Sequence, residues 1–504
     1  MSAEIELKMT NKNQPVVKKI VIAGGGTAGW MAASLMHHRW ANQGVKICLV
    51  ESPTIGIIGV GEGSTPTLKR FFADLDIAES DWMPACNATY KVNIEFADWS
   101  PQSGISRYSH PFISQVDTFS EKHFYLNCLT RRHGLDVNTQ PNDFFLNGWL
   151  AKTHKSPVTP ANFPFEVEYG YHFDSALLGQ YLAKRAVSLG VEHIQANIQD
   201  VVIDKCGNIE SLRLNNNRVL VADFFVDSTG FDSLLLQKAL NVGFTDFKSN
   251  LFNDSAVAMP SLSLTPTPVQ TKSTALSNGW AWQIPLTNRT GNGYVYSSRF
   301  IDKEQAETEL RQHLGLLDAD ITAKHLKMNV GQIDKHWHNN CLAIGLSQGF
   351  IEPLEATALH LSQVSIEIFM DEFEAGNFSN QRQSAFNANM HERYERVRDY
   401  IVAHYKLNTR SDSHYWKENR DNMNLSDSLL HLLTVWFEKG DLNQEIHRQG
   451  LQDHFGLSSW HCLLAGYGAF PNKAAKQPGI GDKYKEFALQ AFFEGCLLNF
   501  EDNS

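Results

Sequence analysis

Nowhere does this chain carry a run of about 18 apolar residues, so no segment reads as a membrane-spanning helix. The opening residues, MSAEIELKMTNKNQPVVKK, lack the apolar core of a secretory leader. Cysteine is sparse: Cys48, Cys86, Cys128, Cys206, Cys341, Cys462 and Cys496 are scattered, odd in number and never in C-x-x-C spacing. That argues against a disulfide framework or a zinc ribbon and suits a reducing cytoplasm, where a soluble protein is expected. A basic patch is also missing. With a net charge of -11, the chain is a poor partner for nucleic acid or an anionic membrane, and a neutral or zwitterionic small molecule fits better. There is no internal repeat, low-complexity tract or linker. What remains is an ordinary globular composition, 42% hydrophobic and 20% charged, over 504 residues. That is enough for two or more domains, or for one large domain with an elaborated substrate region.

The most informative stretch near the start is KIVIA, Lys18 to Ala23, which reads as a buried strand running into GGGTAGW and a helix from Trp30 to Trp40. Gly24, Gly26 and Gly29 keep the G-x-G-x-x-G order, and a second strand, Lys46 to Val50, ends in Glu51 about 20 residues on. The first glycine makes the turn, the second admits a pyrophosphate to the backbone, and the third packs helix on sheet. Glu51 is then placed to take ribose hydroxyls. The loop Ser52 to Leu68 follows, with Gly56, Gly59, Gly61 and Gly63 allowing close approach to a flat ligand, or simply forming a surface loop.

Ala88 to Trp99 alternates like one strand and carries Lys91 among apolar and aromatic neighbours. Residues 100–165 show little period and are rich in Pro, His, Phe and Asn, as expected of an aromatic insertion over a pocket or of packed irregular structure. Tyr171 to Val191 reads as a long helix, and ANIQDVVIDKCGNIESLRL as strands. DFFVDSTGF then presents a second glycine-bearing turn, at Asp227 to Gly230. Ser255 to Phe300 reads as antiparallel strands with a GNG turn at Gly291 to Gly293. Trp280 and Trp282, two apart on a strand, share a face and either wall a cavity or fill the core. His336 and His338 would also share a face, but without a nearby third ligand no metal site is expected.

Further on, CLAIGLSQGFIEPLEATALHLSQ, Cys341 to Gln363, reads as strand, glycine-bearing connection and helix start. Glu355 there lies beside N–H groups of Thr357 and Ala358 that lack intrahelical partners. These form a natural seat for a small anion, while Glu355 could merely complement the helix dipole. Gln381 to Tyr405 and Ser426 to Lys439 read as amphipathic helices.

With these residues in view, the chain resembles a flavin-dependent halogenase of the tryptophan halogenase family, from about Lys18 to about Trp416. The resemblance rests on GGGTAGW, GVGEGSTP, Lys91 in ATYK, SHPF at His110 to Phe112, YHFD, DSTGF, W-x-W-x-I-P at Trp280 to Pro285, FIEPLEAT and RSDSHYW. It implies an α/β fold: an FAD-binding Rossmann-like module of the two-dinucleotide-binding flavoprotein type, with an antiparallel β region and a mainly helical substrate-binding region. Residues 17–100 and 166–360 would form the discontinuous FAD module with its β wall, and 101–165 and 361–504 the substrate-covering part.

The resemblance further implies FAD along Gly24, Gly26, Thr27, Ala28, Gly29, Glu51, Ser52, Ile55, Gly61, Glu62 and Gly63, with contacts from Ile198, Leu346 and Leu359. Lys91 and Glu355 match the family's catalytic pair, and the halide would rest on Thr357 and Ala358. His110, Phe112 and Trp460 would bind substrate, and Trp280 and Trp282 would keep it from the flavin. FADH2 from a separate flavin reductase, O2 and chloride or bromide would give hypohalous acid, used via Lys91 on an indole-type aromatic. A homodimer is expected from the family.

Two departures bear on specificity. Ala356 and Ala358 stand where the family usually has serine and glycine, which leaves halide preference open. The region around Trp460 lacks the paired tyrosines that grip an amino acid, so a substrate other than free tryptophan is expected. An FAD-dependent aromatic monooxygenase and a non-catalytic flavin-binding protein are the alternatives.

Overall fold

The computed structural model describes residues 17–56, 61–471 and 481–503; Gly59 of the glycine loop lies outside them. A six-stranded sheet runs in the spatial order Trp337–His338, Cys341–Ala343, Phe224–Asp227, Lys19–Ala23, Lys46–Glu51, Glu192–Gln195. Every pairing is parallel except the hairpin at the Trp337–His338 edge. Its central strands are apolar and buried along nearly their whole length because both faces are covered, whereas the edge strand Glu192–Gln195 is largely polar. Ile20, Ile22, Ile47 and Leu49 enter one core, whereas Val21, Ala23, Cys48 and Val50 enter a second core under the strands Ile198–Ile203, Ile209–Leu214 and Val219–Val221.

The helix Thr27–Trp40 packs against helices Ser175–Leu189 and Thr357–Ala375. The last of these buries Leu361, Ile366, Phe369, Met370 and Phe373, each worth roughly 1.5–3 kcal/mol on removal from water.

A seven-stranded sheet stands beside the first, in the order Lys324–Lys327, Ser255–Ser261, Thr290–Tyr296, Gly279–Pro285, Gln270–Leu276, Asn93–Ser100, Ile105–Pro111. It is antiparallel apart from the pairing of Gln270–Leu276 with Asn93–Ser100. One face carries Val257, Met259, Tyr294 and Tyr296 onto helix Lys303–Leu314. Trp280, Trp282 and Ile284 project from the other. Helices from Gln383 onward close the structure, the longest being Gln383–Lys406.

Four readings of local structure are corrected. Ala88 to Trp99 is two strands, broken at Val92: Thr89–Lys91 joins a small sheet with Gly170–Asp174 and Gly61–Gly63, and Asn93–Ser100 joins the large one. Tyr171 to Asp174 is strand, and the helix starts at Ser175, where the Asp174 carboxylate accepts from the N–H groups of Ala176 and Leu177. Gly291 to Gly293 is no turn but the middle of Thr290–Tyr296. Glycine is needed there because a Cβ at Gly293 would sit 2.1 Å from the Trp282 ring, and one at Gly291 3.2 Å from the Gly61 nitrogen. Residues 100–165 hold the edge strand Ile105–Pro111 and the helix Thr118–Arg132, whose polar buried positions (Ser109, Ser120, Asn127) hide the period.

Candidate active site

The carboxyl ends of the parallel strands open onto a cavity of about 800 Å³ whose opposite wall is the seven-stranded sheet. That is where open α/β sheets bind ligands. Gly24, Gly26, Thr27, Ala28, Glu51, Ser52, Ile55, Gly61, Glu62, Gly63, Ile198, Leu346 and Leu359 all line it, as do Trp280, Trp282, Ala356 and Ala358.

The three glycines divide as their spacing predicts. Gly24 has φ +105° and a Cβ there would strike the Ser228 carbonyl at 2.1 Å; one at Gly29 would strike the Gly24 carbonyl at 2.1 Å; one at Gly26 would meet nothing within 4 Å. Two glycines are therefore demanded by packing, and the third leaves an open approach to the N-terminus of helix Thr27–Trp40, which no side chain caps. A Cβ at Gly25 would meet the Glu51 carboxylate at 1.7 Å, and the other Glu51 oxygen receives His193 Nε2 at 2.7 Å. The carboxylate is thereby fixed at the end of its strand. Ser228, Thr229 and Gly230 add a second turn to the lining, held by Asp227, which accepts from Thr229, Leu235 and Leu236 N–H groups. Burial pushes Glu62 up to about 7. These features fit a dinucleotide such as FAD.

Trp280 and Trp282 lie side by side with ring centroids 6.3 Å apart. Trp282 is seated over Gly293, and Trp280 donates its Nε1–H to the Glu352 carboxylate at 2.9 Å.

Lys91 is outside the cavity lining but one layer behind it. Its Nζ lies 3.2 Å from where a Cβ on Gly63 would be, donates to the Ser64 carbonyl at 3.0 Å and sits 5.4 Å from the Phe112 ring centroid. The side chain is fully buried. Burial drives its pKa down to about 7 against the pull of the Glu355 charge. No direct ion pair joins the two side chains.

Glu355 does not cap the helix that follows. It ends a tight turn, Pro353–Glu355; Ala356 takes φ 56°, and the helix begins at Thr357. This left-handed residue breaks the chain direction and sends the carboxylate into the protein. His110 Nδ1–H donates to one oxygen and His404 Nε2–H to the other, both at 2.9 Å. Behind them, the Ser459 hydroxyl hydrogen-bonds His110 Nε2 at 3.0 Å and Tyr467 donates to His404 Nδ1 at 3.1 Å. Burial pushes His404 down against the attraction of Glu355, which leaves it a neutral donor. Burial alone would raise Glu355, but the two imidazoles outweigh it and hold the carboxyl down at about 2.

Helix Thr357–Ala375 has no side-chain cap, so its first N–H groups are unclaimed by capping, and the buried Thr357 hydroxyl has no hydrogen-bond partner. An uncapped helix N-terminus with an orphan hydroxyl suits a small anion.

Lys91, Glu355, His110 and Phe112 are thus gathered around one buried locus. Trp460 stands apart: it is buried against Tyr400, ring centroids 4.9 Å apart, and its predecessor Ser459 is the residue that reaches His110. His336 is buried on Gln332, and no group of three His, Cys, Asp or Glu residues placed for a metal occurs among the described residues. His404, Ser64 and Glu352 were missed from the sequence. Nothing local distinguishes His404 from the other polar residues of a long helix; only the fold brings it to Glu355.

Comparison with known proteins agrees with this geometry. Residues 19–479 match the tryptophan halogenase family. The chain is 36% identical over 496 residues to tryptophan 6-halogenase SttH of Streptomyces toxytricini, covering 92% of this chain and 93% of that one. It is 31% identical to tryptophan 7-halogenase RebH of Lentzea aerocolonigenes, covering 90% of each. The crystal structure of SttH superposes with a TM-score of 0.85 at 33% identity, covering 97% of this chain and 98% of that one. BrvH, a flavin-dependent halogenase from Brevundimonas sp. BAL3, superposes with 0.82 at 31% identity, covering 97% and 98%. The chain therefore belongs to the tryptophan halogenase family, whose solved members include flavin-dependent halogenases.

Proposed function

We propose that this chain is a two-component flavin-dependent halogenase, taking FADH2 from a separate reductase and halogenating an indole-type aromatic in the cytoplasm, as a homodimer. When bound in reduced form, FAD supplies with O2 and chloride or bromide an electrophilic halogen as hypohalous acid. The residues lining the cavity from Gly24 to Gly63, with Ile198, Leu346 and Leu359, hold the dinucleotide.

Unclaimed N–H groups at Thr357 and Ala358 seat the halide, and the tryptophan pair separates that chamber from the substrate. Lys91, fully buried and half neutral near pH 7, either passes the halogen on through its nitrogen or hydrogen-bonds the oxidant. Glu355 stays ionised, stabilises the cationic ring and takes its proton. A low carboxyl pKa is no obstacle, since a halogenated arenium is a far stronger acid. His110 and Phe112 line the substrate side.

The reading is carried by one observation: a fully buried lysine packed behind Gly63, and a carboxylate held by two imidazoles next to Ala356, where Gly63 and Ala356 line the same tryptophan-walled cavity. Its test is aerobic incubation with a flavin reductase, NADH, FAD and bromide or chloride against indoles, phenols and free tryptophan. Product mass spectra should show halogen isotope pairs. Hydroxylated product that forms without halide would assign a monooxygenase instead, and free tryptophan as the best substrate would remove the expected specificity.

A further inference from the structure

Glu352 is fully buried three residues before Glu355, and the reaction as proposed does not use it. One of its oxygens, Oε2, receives three donors: Trp280 Nε1 at 2.9 Å, Asn253 Nδ2 at 2.9 Å and the Tyr405 hydroxyl at 2.5 Å. Asn253 is itself oriented by the Tyr415 hydroxyl, which donates to its Oδ1 at 2.9 Å. The other oxygen, Oε1, is buried without a partner. No Lys, Arg or His among the described residues pairs with Glu352 at ion-pair distance. A buried acid without a cation costs stability, so packing alone does not account for it.

Its connections do. Tyr405 follows His404 on helix Gln383–Lys406, so two consecutive side chains grip two carboxyls three residues apart: His404 holds Glu355 and Tyr405 holds Glu352. Trp282, whose Nε1 has no partner, is located by contact with Gly293, whereas Trp280 is located by the Glu352 carboxyl. We propose that Glu352 is a positioning residue that fixes the Trp280 indole in the cavity wall and keeps this wall in register with Glu355. The consequence for turnover rests on the halogenase reading; the structural tie does not. With Glu352 replaced, the Trp280 ring takes more than one orientation and hypohalous acid leaves the site before reaching substrate.

The test labels the full-length protein with fluorotryptophan and reads the Trp280 resonance by fluorine NMR, identified by its loss in Trp280→Phe. Folding of each variant is checked by thermal melting and FAD binding. In the wild type the Trp280 signal should be single. Glu352→Leu should shift or split it, and Glu352→Gln, which preserves shape and an acceptor, should restore much of the original signal. In turnover, Glu352→Leu should lower halogenated product per NADH consumed at least about tenfold, the scale of one lost buried hydrogen bond, with substrate KM unchanged. It should cause no further loss when combined with Trp280→Phe.

A Trp280 resonance unmoved in Glu352→Leu, or losses that multiply in the double variant, would overturn the proposal. Should Glu352→Leu fail to fold, Glu352→Met and Tyr405→Phe decide it, and a wild-type Trp280 resonance in both overturns it. A wild type that halogenates nothing would refute the functional reading and still leave the resonance to decide the tie.

Discussion

His404 Nε2 lies 2.9 Å from Glu355 Oε1, and both side chains are shut away from solvent. The imidazole is neutral and donates one proton, while His110 Nδ1–H donates to the second carboxylate oxygen. Among the described residues, no other side chain of helix Gln383–Lys406 hydrogen-bonds this carboxylate.

Replacing His404 with phenylalanine removes one of the two donors that keep Glu355 ionised. kcat should fall roughly tenfold to a hundredfold, as for a charge-assisted hydrogen bond of about 1.5–3 kcal/mol, with FAD affinity unchanged. Glu355 is depressed to about 2 in the folded protein, so its contribution to stability is present above its ordinary range and is lost as pH falls through about 2. In the variant this acid limb should move to higher pH, as read from melting temperature against pH.

Lys91→Ala should abolish halogenated product while FAD binding and hydrogen peroxide release persist. A mutant that still gave product would remove Lys91 from the mechanism. The pH profile then separates its two possible states. Its folded pKa is lowered to about 7, so the buried charge weighs fully on stability below that value and the cost fades as pH rises toward the unfolded pKa. Lys91→Met should therefore raise the melting temperature most on the acid side. In single turnover, a halogen-transfer rate that rises through about pH 7 identifies the neutral amine and a bound haloamine; one that falls identifies the ammonium as hydrogen-bond donor.

Thr357→Val keeps the backbone N–H groups and deletes only the unpartnered hydroxyl. The halide KM should rise, by about tenfold if that hydroxyl contributes one hydrogen bond to the anion, while kcat at saturating halide holds. Measured against both chloride and bromide, the same variant reports the halide preference that Ala356 and Ala358 left open.

Gly293→Ala places a methyl group 2.1 Å from the Trp282 ring. The ring is confined, so the strand or the indole must shift, at a cost of about 1–3 kcal/mol as for other overpacked cores. Denaturant unfolding should show that loss, and the displaced wall should lower the product formed per NADH. Gly44→Ala, where a Cβ meets nothing but φ is +86°, offers a control for backbone strain without crowding.

The dinucleotide module was legible because each of its parts is local. A strand, three glycines, a helix and an acid within about 30 residues must meet in space, and the geometry at Gly24, Gly26 and Gly29 follows from the reasons their spacing suggested. Trp280 and Trp282 were placed on one face by strand periodicity alone. Where periodicity misled, the cause was tertiary. Gly291 to Gly293 carries turn chemistry but serves an indole and a neighbouring backbone, and YHFD is held as strand by pairing with Gly61–Gly63 and Thr89–Lys91 before the helix starts at Ser175.

Local patterning and family motifs were thus enough to specify the α/β module, the cavity-facing glycines and tryptophans, and the lysine and glutamate worth testing. The fold alone decided how those two are tuned. Lys91 is lowered by burial under residues from several separate segments, and Glu355 is held ionised by His110 and His404, partners 245 and 49 residues away. Charge state in a protein interior depends on which dipoles and charges surround a group in three dimensions, and that neighbourhood is written in no single stretch of the chain.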